Sequence, residues 1–327
     1  MRGTTMYKNY LSVIIPVFET EYTLSKCLES VKNQSLTDME IIIVDDSHIN
    51  NEKCKKVIEP FLEDKRFKYI SHGENKGLLE ARRTGVENAN GKYITFIDSD
   101  DYIFGPHSFD MVKRKVDNYK DIKLVQFGCD IISMDPNDRL MDNETSSLRK
   151  PSIGYRKGEN ILIDNAINGL NSFYMWGKFF DPKILKQTYD LIPRDTGITM
   201  NEDLLAYFIY ATQKESISYL GILDTVYVYV RNIGITKTIP ANRENKEMWS
   251  RFLTNGKVFN ILFKYLENTI DKNNINYNFY ERFLVNNREN KMRSVYNLIK
   301  TASEESKEWM YEMAVESFGD IFKKYTI

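Results

Sequence analysis

Apolar runs and helical stripes alternate along the first hundred residues. Residues 11–17 form a nearly continuous apolar run, the pattern of a strand buried on both faces. Pro16 is expected to end its ladder. Residues 21–33 place Leu24, Cys27, Leu28 and Val31 at helical spacing, with Thr20 as N-cap. A second buried strand spans 40–46 and ends in Asp45 and Asp46. A helix over 51–62, a strand over 67–70, a loop through Asn75 and Gly77, and a helix over 78–88 follow. The next strand stops at Asp98. Strand–helix alternation predicts a parallel sheet with helices on both faces. Right-handed crossovers put the carboxyl ends of such strands on one side. Phe18, Asp46, Gly77 and the run Asp98 to Asp101 then converge on one rim, where open α/β sheets bind ligands.

Past Pro106 a helix and a strand over 124–128 continue the sheet. Residues 130–150 are polar and read as a hairpin or flap, and 158–168 as a helix. The aromatic run 173–180 reads as a strand, with Gly177 permitting close backbone approach. A short loop over 198–205 opens a helix with Glu202 and Asp203 in its first turn, where the helix dipole favours acids. A last strand over 226–230 puts Tyr227 and Tyr229 on one face, before a loop through Arg231 and Asn232 to Thr238. Strand signals then fade, and amphipathic helical patterns cover 249–266, 277–299 and 304–324. The expected division is an α/β domain over 1–238 and a helical region over 239–327. That region reads as a packing or homodimerisation module, with peripheral contact to a membrane surface as the alternative.

Composition narrows the function classes. With 45 basic and 46 acidic side chains in 327 residues, net charge is −1, so no global field recruits nucleic acid. Three scattered cysteines, Cys27, Cys54 and Cys129, fit buried thiols in a reducing compartment. His48, His72 and His107 are isolated and read as surface or core histidines. No apolar run has the length of a membrane span. The expected location is therefore the cytoplasm.

The carboxylates carry the chemistry. Asp98, Asp100 and Asp101 crowd the end of an apolar strand. Hard oxygen ligands in that setting suit Mg²⁺ or Mn²⁺, above all when phosphate oxygens complete the shell. A plainer reading is a solvated turn in which Asp100 or Asp101 caps the helix after Pro106. Glu202 and Asp203 likewise have a capping reading.

In order along the chain, residues 11–19, Asp45-Asp46, the stretch 75–85 and the run Asp98 to Asp101 resemble glycosyltransferase family 2 enzymes of the GT-A fold. Residues 175–178 and 201–203 resemble the acceptor-side motifs of bacterial surface-polysaccharide members, and lipooligosaccharide or capsule β-1,3-galactosyltransferases are the most similar among these. The resemblance covers residues 10–235. It implies a Rossmann-like, mixed but mainly parallel sheet flanked by helices, with a nucleotide-sugar half over 10–105 and an acceptor half over 106–238. It also implies an inverting reaction moving a hexose from a UDP-sugar to a glycan acceptor, with Mn²⁺ or Mg²⁺, at the cytoplasmic face of the inner membrane. By the same resemblance Pro16, Val17 and Phe18 frame the uracil, with Glu19 beside them. Asp46 accepts the uracil N3–H, Gly77 admits the base or ribose, and Arg82 lies near the diphosphate. Asp98 and Ser99 serve the sugar-nucleotide, and Asp100 with Asp98 holds the metal, supported by Asp101. Asp203 is the acceptor base, flanked by Glu202, Trp176 and Lys178. Two alternatives stand beside it. A nucleotidyltransferase would need a Gly-rich basic phosphate loop near the N-terminus, which residues 15–22 are not. A catalytically silent binding subunit would not need acids at both motifs.

Overall fold

The computed structural model describes residues 7–133, 151–158, 161, 173–213, 217–231 and 244–326. The chain forms two compact units, Met1–Asp190 with Tyr210–Ile233, and Leu191–Ile209 with Gly234–Ile327.

The first unit is built on a nine-stranded sheet. Strands β1 (Asn9–Val17), β2 (Met39–Asp45), β3 (Phe67–Ser71) and β4 (Gly91–Phe96) lie in the order β3-β2-β1-β4 and are all parallel. Helices α1 (Leu24–Lys32), α2 (Lys53–Ile58) and α3 (Leu78–Asn88) make the crossovers. Every residue of β2 is buried, as a strand covered on both faces requires. Helix α3 lies hard against β1, since a Cβ on Gly85 would come within 2.3 Å of Ile14 Cγ2. That close approach fixes the helix that carries Gly77 and Arg82 to the rim.

Beyond β4 come β5 (Tyr102–Ile103), α4 (Ser108–Val116), β6 (Leu124–Ser133), β7 (Gly154–Gly158) and β8 (Lys178–Phe180). Helices α5 (Pro182–Leu191) and α6 (Glu202–Thr212) precede β9 (Ile217–Arg231). The sheet continues β4-β8-β6-β9-β5, with β7 also on β9. Among the described strands of this half, β6 and β9 pair in parallel, across a bulge at Gly128, and the other strand pairs are antiparallel. The fold is thus the expected mixed α/β sheet flanked by helices, parallel in its first half.

Three local expectations change. Proline 16 interrupts the ladder on one side only: pairing with β4 ends at Ile14, whereas pairing with β2 runs on to Val17–Asp45. A proline removes one donor, and a strand has two neighbours. Helix α1 begins at Leu24, because the amides of Thr23 and Leu24 first close a turn on Thr20 O. The hydroxyl of Thr20 donates to Ser99 Oγ at 2.8 Å and is not the N-cap. The helix expected over 51–62 divides into α2 and a 3₁₀ segment, Glu59–Glu63, where Pro60 has no amide for the α pattern.

The second unit contains α7 (Lys246–Thr269), α8 (Tyr277–Lys300) and α9 (Glu304–Phe318), the helices expected of the tail. Their apolar faces pack on one another: Trp249 Nε1 donates to Met310 O at 3.2 Å, and Gly256 meets the Ser317 backbone. The preceding segment Leu191–Ile209 groups with these helices through Thr199, whose amide donates to Thr254 Oγ1 at 3.2 Å. Among the described residues no helix is long and apolar enough to cross a membrane. The hairpin or flap expected over 130–150 and the helix expected over 158–168 lie largely outside the described residues, as do Asn232 and the boundary expected at 238.

Candidate functional site

At the carboxyl end of β2, Asp46 N donates to Val17 O at 2.8 Å, so the ends of β1 and β2 are tied together. The Asp46 carboxylate gathers three donors: Lys76 N (2.9 Å) and His72 Nδ1 (2.7 Å) on Oδ1, and Gly77 N (2.8 Å) on Oδ2. Gly77 adopts φ +90°, a conformation that suits glycine, and stands at the N-cap of α3. Asp45 beside it accepts from Ser47 N and from the Tyr69 hydroxyl at 2.9 Å. Pro16 and Val17 are buried, Phe18 is half-buried, and Glu19 is exposed with φ +52°.

The second part of the rim is the turn after β4, closed by Asp101 N on Asp98 O at 2.9 Å. Arg82, 1% exposed, reaches across from α3 and donates to Asp98 Oδ1 at 3.0 Å. Helix α3 therefore links both ends of the site, Asp46 at its N-cap Gly77 and Asp98 through Arg82 about one turn further in. Ser99 is buried, its hydroxyl accepting from Thr20 and its carbonyl from Thr23. Asp101 is buried and bonded on both oxygens, by the Tyr227 hydroxyl (2.6 Å) and Val230 N (2.7 Å). It anchors the turn to β9 and does not cap α4. The Tyr227 hydroxyl also accepts from Asp98 N at 3.2 Å. Asp100 is half-buried, and burial, followed by the charge of Asp98, pushes its carboxyl up to about 6.

Trp176 is 4% exposed, with the rings of Tyr174, Tyr227 and Tyr229 nearly parallel to it at centroid distances of 4.9, 4.8 and 5.5 Å. The stack presents Tyr174, 42% exposed, rather than the indole. Lys178 is fully buried and donates to Tyr174 O at 2.6 Å, so it holds this aromatic segment from inside. Glu202 and Asp203 open α6 in the second unit, after Asn201 with φ +61°. Glu202 is buried and Asp203 is half-buried.

Sequence reasoning read His72 as an isolated histidine and gave Thr84 no role, although the two complete the Asp46 cluster, and it read Tyr227 only as one of two tyrosines on a face. The missed signal for His72 is its position: it follows β3, whose carboxyl end belongs to the same rim as β2.

Among the described residues no three His, Cys, Asp or Glu side chains are grouped to hold a metal ion. Asp98 is engaged by Arg82, and Asp101 by β9. The donor set therefore fits a hard cation held by one or two carboxylates, Asp100 first, and completed by phosphate oxygens, as Mg²⁺ commonly is.

Comparison with known proteins agrees with this architecture. Residues 12–179 match the family "Glycosyl transferase family 2". Glycosyltransferase GlyA of Streptococcus pneumoniae serotype 4 is 40% identical over 114 residues, 34% of this chain and 16% of GlyA. EpsH of Bacillus subtilis strain 168 is 28% identical over 213 residues, 64% of this chain and 58% of EpsH. The chain thus spans less than two thirds of the length of these relatives. The S. aureus TarS 1-349 structure in complex with UDP-GlcNAc has the same fold, with a TM-score of 0.54 at 14% identity over 97% of this chain and 91% of that one. The chain belongs to glycosyltransferase family 2.

Proposed function

We propose that the chain is an inverting, metal-dependent glycosyltransferase that moves a hexose from a UDP-sugar to a hydroxyl of a bacterial surface glycan, forming a β-linkage. Galactose, N-acetylgalactosamine and glucose are the candidate hexoses, in keeping with the resemblance to β-1,3-galactosyltransferases. The observation that carries the reading is the Asp98–Asp101 turn. There Asp98 is bonded to Arg82 and Asp101 is bonded on both oxygens to β9; burial and neighbouring acids push the carboxyls of both Asp100 and Asp101 up, and of the two Asp100 has the fewer donors.

In this reading Pro16, Val17, Phe18 and Gly77 frame the base, with Glu19 alongside and Asp46 accepting its N–H. Arg82, Asp98 and Ser99 hold the sugar-diphosphate side. Asp100 and Asp98 would hold a divalent cation, which would supply charge neutralisation at the leaving diphosphate. Asp203 accepts the proton of the attacking hydroxyl, which lies opposite the leaving group, and a single in-line displacement inverts the anomeric carbon. An α-linked UDP-sugar then gives a β-linked product. Glu202 and the Trp176 stack support the acceptor side, with Tyr174 as its outward ring. The tail packs the second unit, and homodimerisation and contact with the cytoplasmic face of the inner membrane belong to the same proposal.

The test is UDP release from a panel of nucleotide sugars with and without Mn²⁺. UDP-GlcNAc is included because the TarS structure contains it. Turnover with at least one UDP-sugar, lost in chelator, is expected. Asp203→Asn is expected to lower turnover about 10²–10⁴-fold with UDP affinity unchanged, and Glu202→Gln less. Helix capping alone would cost only about 0.3–1 kcal/mol of stability and leave turnover intact.

A further inference from the structure

The histidine behind Asp46 does more than fill space. His72 follows β3, and its amide donates to Asp45 O at 2.9 Å, so its backbone is fixed by β2. Its side chain is 7% exposed and bridges two elements, Nδ1 to Asp46 Oδ1 at 2.7 Å and Nε2 to Thr84 Oγ1 on α3 at 2.8 Å. A carboxylate only accepts, so the proton of this contact sits on Nδ1. The Thr84 hydroxyl can donate or accept and therefore completes either form of the ring.

The donor count at Asp46 now matters. A carboxylate offers about four acceptor positions, two on each oxygen. His72 and Lys76 N fill Oδ1, and Gly77 N fills half of Oδ2. Among the described residues no further donor reaches Asp46, so one position remains, on Oδ2. Uracil presents a single N–H between two carbonyls, whereas the corresponding edge of guanine presents two adjacent donors. One acceptor position suits the first edge and cannot serve both donors of the second.

We propose that His72 is a positioning residue for donor recognition: by occupying Asp46 Oδ1 it holds the carboxylate against the Lys76–Gly77 turn and leaves one acceptor position, which selects a base with one N–H donor. This inference rests on the reading of Asp46 as the base acceptor.

Three variants separate the role from packing. His72→Asn keeps a donor near the Nδ1 position. His72→Gln places its donor near Nε2, and His72→Ala has none. UDP and GDP affinities are measured by calorimetry, and the exchange of the Lys76 and Gly77 amides by NMR in the ligand-free protein. The expected result is about tenfold weaker UDP binding in the Ala and Gln variants, as for loss of a hydrogen bond to a charged group. Their UDP-over-GDP preference should narrow, their two amides should exchange faster, and His72→Asn should restore all three. A packing role would instead track side-chain volume and leave the UDP/GDP ratio unmoved, which overturns the proposal. If His72→Ala does not fold, Thr84→Val frees Nε2 and is expected to shift the same ratio in the same direction; no shift overturns it equally. Amides that ignore His72 while the wild type still binds UDP would sink the positioning role alone. A wild type that binds neither nucleotide would remove the base pocket, and donor recognition by His72 with it.

Discussion

Two clusters of buried acid lie on the same sheet and have opposite characters. Glu40, near the start of β2, accepts from Ser12 Oγ (2.6 Å), Asn90 N (2.6 Å) and Lys68 Nζ (2.5 Å). Burial alone would push its carboxyl up, but the hydrogen bonds of Lys68, Ser12 and Asn90 and the Lys68 charge hold it below the ordinary range. Asp100, past the end of β4, is pushed up to about 6 by burial and by Asp98, and its own backbone amide offsets only part of this. A carboxylate with its donors in place joins strands. One with a neighbouring anion and few donors is costly to keep charged, and a bound cation would relieve that cost.

The sharpest way to break the comparison is to exchange the consequences. Asp100→Ala is expected to lower turnover about 10²–10³-fold, the scale for losing stabilisation of a developing charge. Its melting temperature should not fall, since a strained charge is removed. Full turnover in that variant would place the essential carboxylate elsewhere.

Glu40→Gln should do the reverse. Stability is expected to fall by about 1–3 kcal/mol, discounted because Lys68 is 47% exposed. Turnover per folded molecule should hold, and denaturant melts beside active-site titration separate the two quantities. A loss of turnover without a loss of stability would contradict the structural role.

Chelation gives a smaller effect. EDTA is expected to weaken UDP binding roughly tenfold, with recovery in Mn²⁺ or Mg²⁺. Calorimetric affinity that ignores both additions would leave Asp100 without a ligand to serve.

The smallest effect is in the pH dependence of stability, where the two acids have opposite signs. The folded state holds the Asp100 proton more tightly than the unfolded chain does. Its contribution is present below about pH 4 and is lost as pH rises through about 6. Glu40, with its carboxyl held low, contributes stability above its ordinary range and loses it as pH falls below that. Thermal melts of the metal-free protein should show a slope of the Asp100 sign, under about 1 kcal/mol per pH unit from Asp100, and Asp100→Asn should reduce it, leaving the part that the raised Asp101 carboxyl contributes.

The pattern of apolar positions was enough for β1 to β4, α3 and the three long tail helices, because burial on both faces leaves a near-continuous run and burial on one helical face leaves a 3.6-residue stripe. It also located the carboxylates at strand ends, since an apolar run buried in the sheet gives way to charge where the strand reaches the rim. Which of these carboxylates has donors and which has few was not legible, because the donors come from distant parts of the chain. Val230 and Tyr227 reach Asp101 from more than a hundred residues away, and Arg82 reaches Asp98 from the neighbouring helix. The same holds for Lys178 and Trp176, which are buried because the Lys178 ammonium turns to Tyr174 O and the Trp176 ring lies against Tyr227 of β9. His72 is an isolated histidine along the chain. It becomes part of the rim only when β3 is laid parallel beside β2, which brings its ring to Asp46 and Thr84 together.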